Sequence, residues 1–177
     1  SINVLDICTP GLWTGNTSNN WNTGTNWDDG IVPDQSTNVS IPSAPAGGNY
    51  PVIDNNTNAQ ANDLVIESGA TLTLQAENTL TVNGTLTNNA GENGLVITAN
   101  SNGSGSLMHN NAGVQGKIQS SISTADWHLV SSPVSNAVSN VFLGIYLKYF
   151  TEATDAWTYI VSTTHDLNAG EGFASWS

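Results

Sequence analysis

The feature that most constrains the fold of this chain is a regular repeat in its middle, over residues 62–100. Three short apolar segments, Leu64–Ile66, Leu72–Leu74 and Leu80–Val82, follow one another at intervals of eight residues. In each segment two apolar side chains flank a central one, and this alternation is the period of a β-strand. Turn-forming pairs separate the segments: Ser68-Gly69, Glu77-Asn78 and Asn83-Gly84. The repeat therefore predicts short strands that are turned at regular intervals.

Two all-β architectures are compatible with these short strands. The repeat contains no helical crossover, which excludes a sheet built from βαβ units. In a parallel β-solenoid (β-helix), each eight-residue unit forms one side of a coil of about twenty-four residues, with aliphatic side chains stacked inside. In an antiparallel β-sandwich the same strands pair through hairpins, for which Asn83-Gly84 is a good signal. The recurrent order apolar–Thr–apolar, followed by Gly or Asn, favours the solenoid.

Residue composition and the repeat pattern divide the chain into three regions. Residues 1–61 form a Trp- and Asn-rich N-terminal cap with entry strands, the first of them within residues 2–7. Residues 62–125 hold the repetitive β core. Residues 126–177 form a C-terminal β-rich module, which we expect to be truncated or completed by further chain.

Two local predictions fall in the C-terminal module. Ala137–Leu143 is predicted as a short helix, with Ser135 or Asn136 as its N-cap. Glu152–Ala156 is predicted as the turn of a hairpin. The tail, Gly170–Trp176, alternates apolar and small residues and is predicted as one more strand.

The charge balance restricts the partners of the chain. Its 177 residues carry a formal charge of −12, from 14 acidic residues against two lysines, Lys117 and Lys148. We therefore exclude nucleic acid and anionic membrane surfaces, because two cations cannot neutralise their phosphates. Charged residues make up only 9% of the chain, so Asn, Thr, Ser and Gly must solvate the surface. This composition is typical of extracellular β proteins and predicts an extracellular or cell-surface location.

Cysteine content and hydropathy add little to this picture. Cys8 is the single cysteine, so no internal disulfide is expected, and we interpret it as a small buried or incidental residue. No apolar run approaches the length of a membrane span, so membrane insertion is not expected. The chain starts at Ser1 without a methionine, and we interpret it as a mature or excised product.

Three tryptophans, Trp13, Trp21 and Trp27, lie within fifteen positions of a loop rich in Gly, Asn and Thr. Their spacing fits neither a helix nor a strand. One interpretation is a cap, in which the indoles bury apolar area over the open end of the β core. The other is an aromatic platform for stacking sugars, to which Trp157 or Trp176 would contribute. The sequence favours the cap.

No catalytic residue is predicted, and the chain is not expected to be an enzyme. Glycoside hydrolysis needs two or three carboxylates converging on one bond, whereas the acidic residues of the repeat share no register. The three histidines show no metal-ligand spacing. Calcium is the better candidate for a metal, because Asp28, Asp29 and Asp34 bring three carboxylates within a short segment. The alternative is that these are ordinary turn residues.

The repeat also contains Thr-x-Thr pairs, which are the pattern of flat ice-binding solenoid faces. The first members of these pairs are Thr71, Thr79 and Thr85. At eight-residue spacing the pairs fall on different sides of a coil, whereas an ice-binding face needs them stacked on one side. Ice binding is therefore a remote alternative, and we interpret these threonines as ordinary strand residues.

Two stretches resemble a known class of proteins. The run GATLTL…NTLTVNGTLTNN, preceded by Trp, Gly and Pro signals, resembles the start of β-helical regions in large secreted surface proteins of Bacteroidetes-type bacteria. The later WHLVSSPV…YLKYFTE…WTYI…LNAGEGFASW is similar to a module that often follows in those type IX secretion-like adhesin or repeat proteins. The resemblance implies secretion and a β fold. It does not select among adhesins, polysaccharide-binding modules and enzyme appendages.

Together these observations predict an extracellular, non-catalytic structural or adhesive surface module. Its expected partners are other protein chains or copies of itself, and it could polymerise into a filament, because incomplete strands expose backbone groups that pair with another chain. The alternative is a carbohydrate-binding module that recognises polysaccharide. The candidate assembly contacts lie in Tyr146–Thr151 and Gly170–Trp176, and they are Tyr146, Tyr149, Phe173 and Trp176.

Overall fold

The computed structural model describes residues 8–177, so the predicted first entry strand within residues 2–7 lies outside the described part. Two compact units make up the chain, Ser1–Ser121 and Ile122–Ser177. The described residues form strands and short 3₁₀ turns without an α-helix, and the predicted all-β class is confirmed. None of the helical turns described is long and apolar enough to cross a bilayer.

Within residues 8–121, the first unit contains twelve short strands. A 3₁₀ turn at Gly24–Asn26 precedes them, and a second lies at Gly91–Asn93. The strands are β1 (Val39–Ile41), β2 (Val52–Ile53), β3 (Asn58–Ala61), β4 (Leu64–Ile66), β5 (Leu72–Leu74), β6 (Thr79–Val82), β7 (Leu86–Asn88), β8 (Leu95–Ile97), β9 (Ala99–Asn100), β10 (Gly103–Ser104), β11 (Ser106–Met108) and β12 (Lys117–Ile118).

These strands stack into a three-sided parallel solenoid of about four coils. The sides have the strand orders β1-β4-β7, β2-β5-β8-β12 and β3-β6-β11, and every neighbouring pair in them is parallel. Leu64 lies beside Leu86, one coil of 22 residues (86 − 64) further on. The antiparallel pair β9–β10 is a small hairpin inserted between β8 and β11. The predicted solenoid is therefore confirmed, and the sandwich alternative does not describe this unit.

The interior of the solenoid is the predicted set of aliphatic side chains. In β4, β5 and β6 the two apolar residues that flank a central residue are buried, while the central residue is half-buried on the outside. Leu80 stacks between Ala59 of the preceding coil and Leu107 of the next. Burying one such side chain contributes about 1.5–3 kcal/mol. Stacked aliphatic side chains thus supply the core that single coils lack.

Asn and Asp side chains at the corners bind the adjacent coil instead of starting hairpins. The Asn78 carboxamide oxygen accepts the Thr57 amide at 2.7 Å, and the Asp63 carboxylate accepts the Thr85 amide at 2.7 Å. At the predicted hairpin signal, Gly84 donates its amide to the Asn62 carbonyl of the preceding coil at 2.8 Å. Asn83-Gly84 is therefore a solenoid corner.

The predicted boundary at residue 61 runs through the solenoid, because β1, β2 and β3 pair with strands of the repeat. Upstream of β1, the irregular segment continues the stack through two parallel bridges. Leu12 pairs with Ser40, and Asn20 pairs with Val52. Residues 12–27 thus form an irregular coil over the first regular one.

The second unit contains six strands and is mainly antiparallel. Its main sheet has the order β13-β18-β15-β16, and β14 pairs with β17 beside it. The predicted hairpin around residues 152–156 is present between β15 and β16, with a 3₁₀ turn at Glu152–Thr154. The strands are β13 (Trp127–Ser131), β14 (Ala137–Val138), β15 (Tyr146–Thr151), β16 (Ala156–Tyr159), β17 (Asp166–Leu167) and β18 (Gly172–Trp176).

The predicted helix at Ala137–Leu143 is wrong. Asn136 adopts a left-handed conformation with φ of 62°, and the chain enters β14 before a single 3₁₀ turn at Ser139–Phe142. The Ser139 amide is bonded to the His165 carbonyl at 2.9 Å. Pairing with the segment that contains β17 therefore overrides a weak local helix preference.

One side of the main sheet forms the small core of this unit. Leu147, Leu167 and Phe173 are buried there, with Val130 and Tyr149 packed against them. The opposite side of the sheet carries the candidate site.

Candidate functional site

A cluster of exposed aromatic side chains lies on one side of the main sheet of the second unit. Directly opposed residues of antiparallel strands point to the same side, and Trp176 lies between Trp127 and Tyr146 in one cross-strand row. We call this side the aromatic face. It consists of Trp127, Leu129 and Ser131 of β13, Tyr146, Lys148 and Phe150 of β15, Trp157 and Tyr159 of β16, and Gly172, Ala174 and Trp176 of β18.

The aromatic rings of this face are open to solvent although they touch one another. Trp176 is half-buried, and the other five are exposed by 42% (Trp127), 62% (Tyr146), 39% (Phe150), 46% (Trp157) and 52% (Tyr159). The ring pairs Trp127–Trp176, Tyr146–Tyr159 and Phe150–Trp157 have centroids 5.6, 6.0 and 5.2 Å apart, with planes inclined by 62°, 63° and 53°. Edge-type contacts of this kind hold the rings in place.

Lys148 is the charged residue of the face. Its ammonium group lies 4.7 Å from the ring centroid of Trp127 and 4.2 Å from that of Tyr159. A cation over the faces of two rings is attracted by both quadrupoles. Because Trp127 and Tyr159 lie on the two edge strands of the sheet, the Lys148 side chain ties the edges together across the face.

The polar tips of the face are mainly hydrogen-bond donors. Within residues 8–177, the indole N–H groups of Trp127, Trp157 and Trp176 and the hydroxyls of Tyr146 and Tyr159 make no intramolecular hydrogen bond. The face contains no carboxylate, imidazole or thiol. The free donors and the exposed rings of these side chains can bind a ligand.

A gap in the side-chain layer lies at Gly172. It faces Ser131 across the β13–β18 pair, and a Cβ built at this glycine would meet no other atom within 4 Å. The neighbour two residues on, Ala174, is also small. Ala174 is nevertheless buried, with 7% of its surface exposed, so the gap is confined to Gly172.

The predicted assembly residues divide between the two sides of this sheet. Tyr146 and Trp176 belong to the aromatic face, whereas Tyr149 stacks on His165 at 5.6 Å on the core side and Phe173 is buried there. The strands β15 and β18 are each paired on both sides. Pairing within the sheet thus occupies most of the backbone of these two strands, and the assembly contact stays a prediction that rests on the side chains of Tyr146 and Trp176.

The three clustered tryptophans near the N-terminus form a cap and not a platform. Trp13, Trp21 and Trp27 are only 0%, 1% and 2% exposed, and Trp27 packs edge-on against both others at 5.0 and 4.8 Å. The indole nitrogen of Trp13 donates to the Asn49 carbonyl at 2.7 Å. No face of these rings is open to a sugar, so the carbohydrate-binding hypothesis for these three residues is contradicted.

The three aspartates proposed as calcium ligands serve separate local hydrogen bonds. Asp28 accepts the Thr9 amide at 2.6 Å, and Asp29 accepts the Ile31 amide at 3.1 Å. The Asp34 carboxylate accepts hydrogen bonds from Ser36 and Thr37 within its own turn. No group of three or more metal-ligating side chains occurs among residues 8–177, so their arrangement gives the calcium hypothesis no support. Cys8 is exposed, which leaves the incidental of its two predicted roles.

Asp34 gives a testable pH dependence. Its carboxylate accepts the Ser36 hydroxyl at 2.7 Å, the Ser36 amide at 2.8 Å and the Thr37 hydroxyl at 3.1 Å. These bonds, led by that of the Ser36 hydroxyl, hold the pKa of Asp34 below its usual value. The turn is therefore stabilised above the unfolded-state pKa, and this contribution is lost as pH falls through the lower folded-state pKa.

We expect Ser36→Ala to raise the pKa of Asp34 towards its ordinary value, measured by NMR titration of the side-chain carboxyl. Ser101→Ala, at an exposed serine of the same unit outside this turn, serves as the control. An unchanged Asp34 titration in Ser36→Ala would contradict the assignment.

The Thr-x-Thr pairs lie on three different sides of the solenoid. Thr73 is on β5, Thr79 and Thr81 are on β6, and Thr87 is on β7, which belong to three separate sheets. The neighbours of Thr79 in its own sheet are Asn58 and Ser106. No side therefore presents stacked Thr pairs, and an ice-binding face is not formed by them.

Sequence reasoning found part of the aromatic face. Tyr146, Trp157 and Trp176 were candidates, whereas Trp127, Lys148, Phe150 and Tyr159 were missed. The available signal was the alternation of Tyr146, Lys148 and Phe150 and of Trp157 and Tyr159 in the two arms of the predicted hairpin. Residues at i and i+2 share one side of a strand.

A family model described as "Domain of unknown function (DUF8693)" matches residues 12–175. No curated protein and no solved structure matches the chain.

Proposed function

Since the chain belongs to the family described as a domain of unknown function, DUF8693, we propose its function from the geometry. It is a non-catalytic adhesive module of an extracellular surface protein, and the aromatic face is its contact surface. The observation that carries this proposal is the placement of six aromatic side chains on one side of a sheet, five of them exposed by 39–62%. Exposed patches of this kind mark interaction sites, and Trp and Tyr dominate binding energies at such sites.

The solenoid suits the role of a scaffold in such a module. Its interior is continuous from the capping tryptophans to Leu95 and Ile97, and its corners are cross-linked by side-chain hydrogen bonds between coils. The low charge content and the Asn- and Thr-rich surface support an extracellular location.

The test is a binding panel of immobilised glycans and extracellular-matrix proteins, read by biolayer interferometry. We expect at least one panel member to bind, and Trp127→Ala/Trp157→Ala to weaken that binding at least tenfold, which is about 1.4 kcal/mol. Val141→Ala is the matched control, because Val141 is 68% exposed and lies in the 3₁₀ turn Ser139–Phe142, outside the main sheet. Circular dichroism checks that both variants remain folded.

Two results would contradict the proposal. One is binding that the double variant leaves unchanged, or a panel without any ligand. The other is a dimer or filament of the protein alone that the same double variant dissociates, measured by light scattering. That result would make the aromatic face an interface between copies of the chain.

A further inference from the structure

The geometry points to a single neutral polysaccharide chain as the ligand, lying on the aromatic face over the gap at Gly172. This inference rests on the proposed function, because it assigns a ligand class to the same aromatic face. Four features of the face support it: its charge, the inclination of its rings, its hydrogen-bond donors and the gap at Gly172.

The charge excludes acidic polymers. The chain carries −12 overall, and Lys148 is the one cation on the face. Its ammonium group already lies between the rings of Trp127 and Tyr159. A polyanion would have to approach a strongly negative chain with one cation to receive it, whereas a neutral glycan meets no such repulsion.

The inclination of the rings separates a single chain from a flat crystalline surface. A planar surface requires coplanar rings, but the three ring pairs of the face are inclined by 53–63°. The pairs Trp127–Trp176 and Phe150–Trp157 lie near opposite ends of the strands. Ser131 lies four positions after Trp127 on β13, a distance of about 13 Å along the strand. A short run of sugar rings, each turned relative to the next, fits this spacing.

The chemistry of the face separates a glycan from a peptide. A peptide in an extended conformation binds a sheet mainly through its backbone, and it needs an unpaired strand edge. Over the gap at Gly172 no such edge is available, because β18 is paired on both sides and the unpaired edges of the sheet lie on β13 and β16. The exposed indole N–H and phenol O–H groups instead suit the hydroxyl and ring oxygens of a sugar, while the ring faces pack against its C–H groups.

Gly172 provides a variant that separates binding from folding. Gly172 lies within a strand, where glycine weakens the sheet because it has no side chain to pack. A Cβ there meets no other atom within 4 Å, so Gly172→Val is expected to raise the melting temperature. The same substitution fills the gap at Gly172, and we expect it to weaken glycan binding at least fivefold. A variant that is more stable yet binds less cannot be explained by unfolding.

The experiment is native affinity electrophoresis in gels containing soluble polysaccharides. The neutral probes are hydroxyethylcellulose, xyloglucan and galactomannan, and carboxymethylcellulose is the acidic counterpart of the first. Microcrystalline cellulose pull-down tests the flat surface. We expect at least one neutral probe to retard the protein, Trp157→Ala and Gly172→Val to abolish most of that retardation, and Val141→Ala to leave it unchanged.

Four results would overturn the inference. The first two are no retardation by any neutral probe, and retardation by carboxymethylcellulose that equals or exceeds that by hydroxyethylcellulose. The other two are stronger binding to microcrystalline cellulose than to the soluble chains, and normal binding by Gly172→Val.

These results are distinct from those that would contradict the proposed function. If the binding panel finds a protein ligand that Trp127→Ala/Trp157→Ala loses, the aromatic face is adhesive and only the glycan inference fails. If neutral probes bind but neither aromatic-face variant reduces that binding, both proposals fail for this face.

Discussion

Leu80→Ala is expected to lower the free energy of unfolding of the solenoid by about 2–5 kcal/mol. Leu80 is 0% exposed and stacks between Ala59 and Leu107 of the adjacent coils. Ala59 of the preceding coil is too small to fill the space that the substitution leaves, so we expect a cavity to remain. The loss would be a large fraction of the 5–15 kcal/mol that stabilises a typical domain. Guanidinium denaturation followed by the fluorescence of the buried cap tryptophans measures it.

Thr81→Ala is the control on the same strand. Thr81 is half-buried on the outside of β6, so its truncation is expected to cost below about 1 kcal/mol. A one-residue change of register would send Thr81 inwards and Leu80 outwards. Equal costs for the two variants, or a larger cost for Thr81→Ala, would therefore contradict the assigned register.

Asn26→Ala is expected to destabilise the N-terminal cap by about 3 kcal/mol or more, because buried polar groups left without partners cost about 1–3 kcal/mol each. Asn26 is 0% exposed. Its carboxamide oxygen accepts the amides of Thr17 and Ser18, both at 2.9 Å. Its nitrogen donates to the Asn20 carbonyl at 2.8 Å and to the Ser18 hydroxyl at 3.0 Å. One side chain thus connects the 3₁₀ turn that contains Asn26 to residues 17–20 of the loop.

Two further variants separate hydrogen bonding from volume. Asn26→Asp has nearly the same volume but loses both donors, so it should destabilise the cap as well. Asn22→Ala truncates an exposed asparagine of the same loop and should be close to neutral. Thermal melts report the differences, and hydrogen exchange of the Trp21 and Trp27 amides localises them. If Asn26→Ala proved as mild as Asn22→Ala, the cap would not depend on this network.

The sequence was sufficient for the solenoid because each level of its pattern agrees with the others. The eight-residue spacing, the alternation within Leu64–Ile66, Leu72–Leu74 and Leu80–Val82, and the corner residues all favour the same coil. The signal at Asn83-Gly84 was misleading when taken alone, since that pair forms a corner as readily as a hairpin. Only pairing with Asn62 of the preceding coil distinguishes the two.

The candidate site was harder to predict, for two physical reasons. Aromatic residues in a strand look alike in sequence whether they face the core or solvent, and only the partner strands decide between them. Phe173 is buried, whereas Tyr146, in a strand beside it, is 62% exposed. Tryptophans in an irregular loop likewise give no period, so the choice between cap and platform at Trp13, Trp21 and Trp27 required their burial. Local preference also failed at Ala137–Leu143, where strand pairing determines the conformation.

The parallel stacking of coils is tested most directly by the pattern of cross-strand NOEs between backbone protons in the solution NMR spectrum. The solenoid predicts contacts between β4 and β7 in parallel register, joining Leu64 to Leu86 and Val65 to Thr87, each 22 residues apart (86 − 64 and 87 − 65). Equivalent contacts should join β5 to β8 and β3 to β6. Close contacts between β6 and β7 in antiparallel register across Asn83-Gly84, without those between β4 and β7, would contradict the fold and with it the scaffold role.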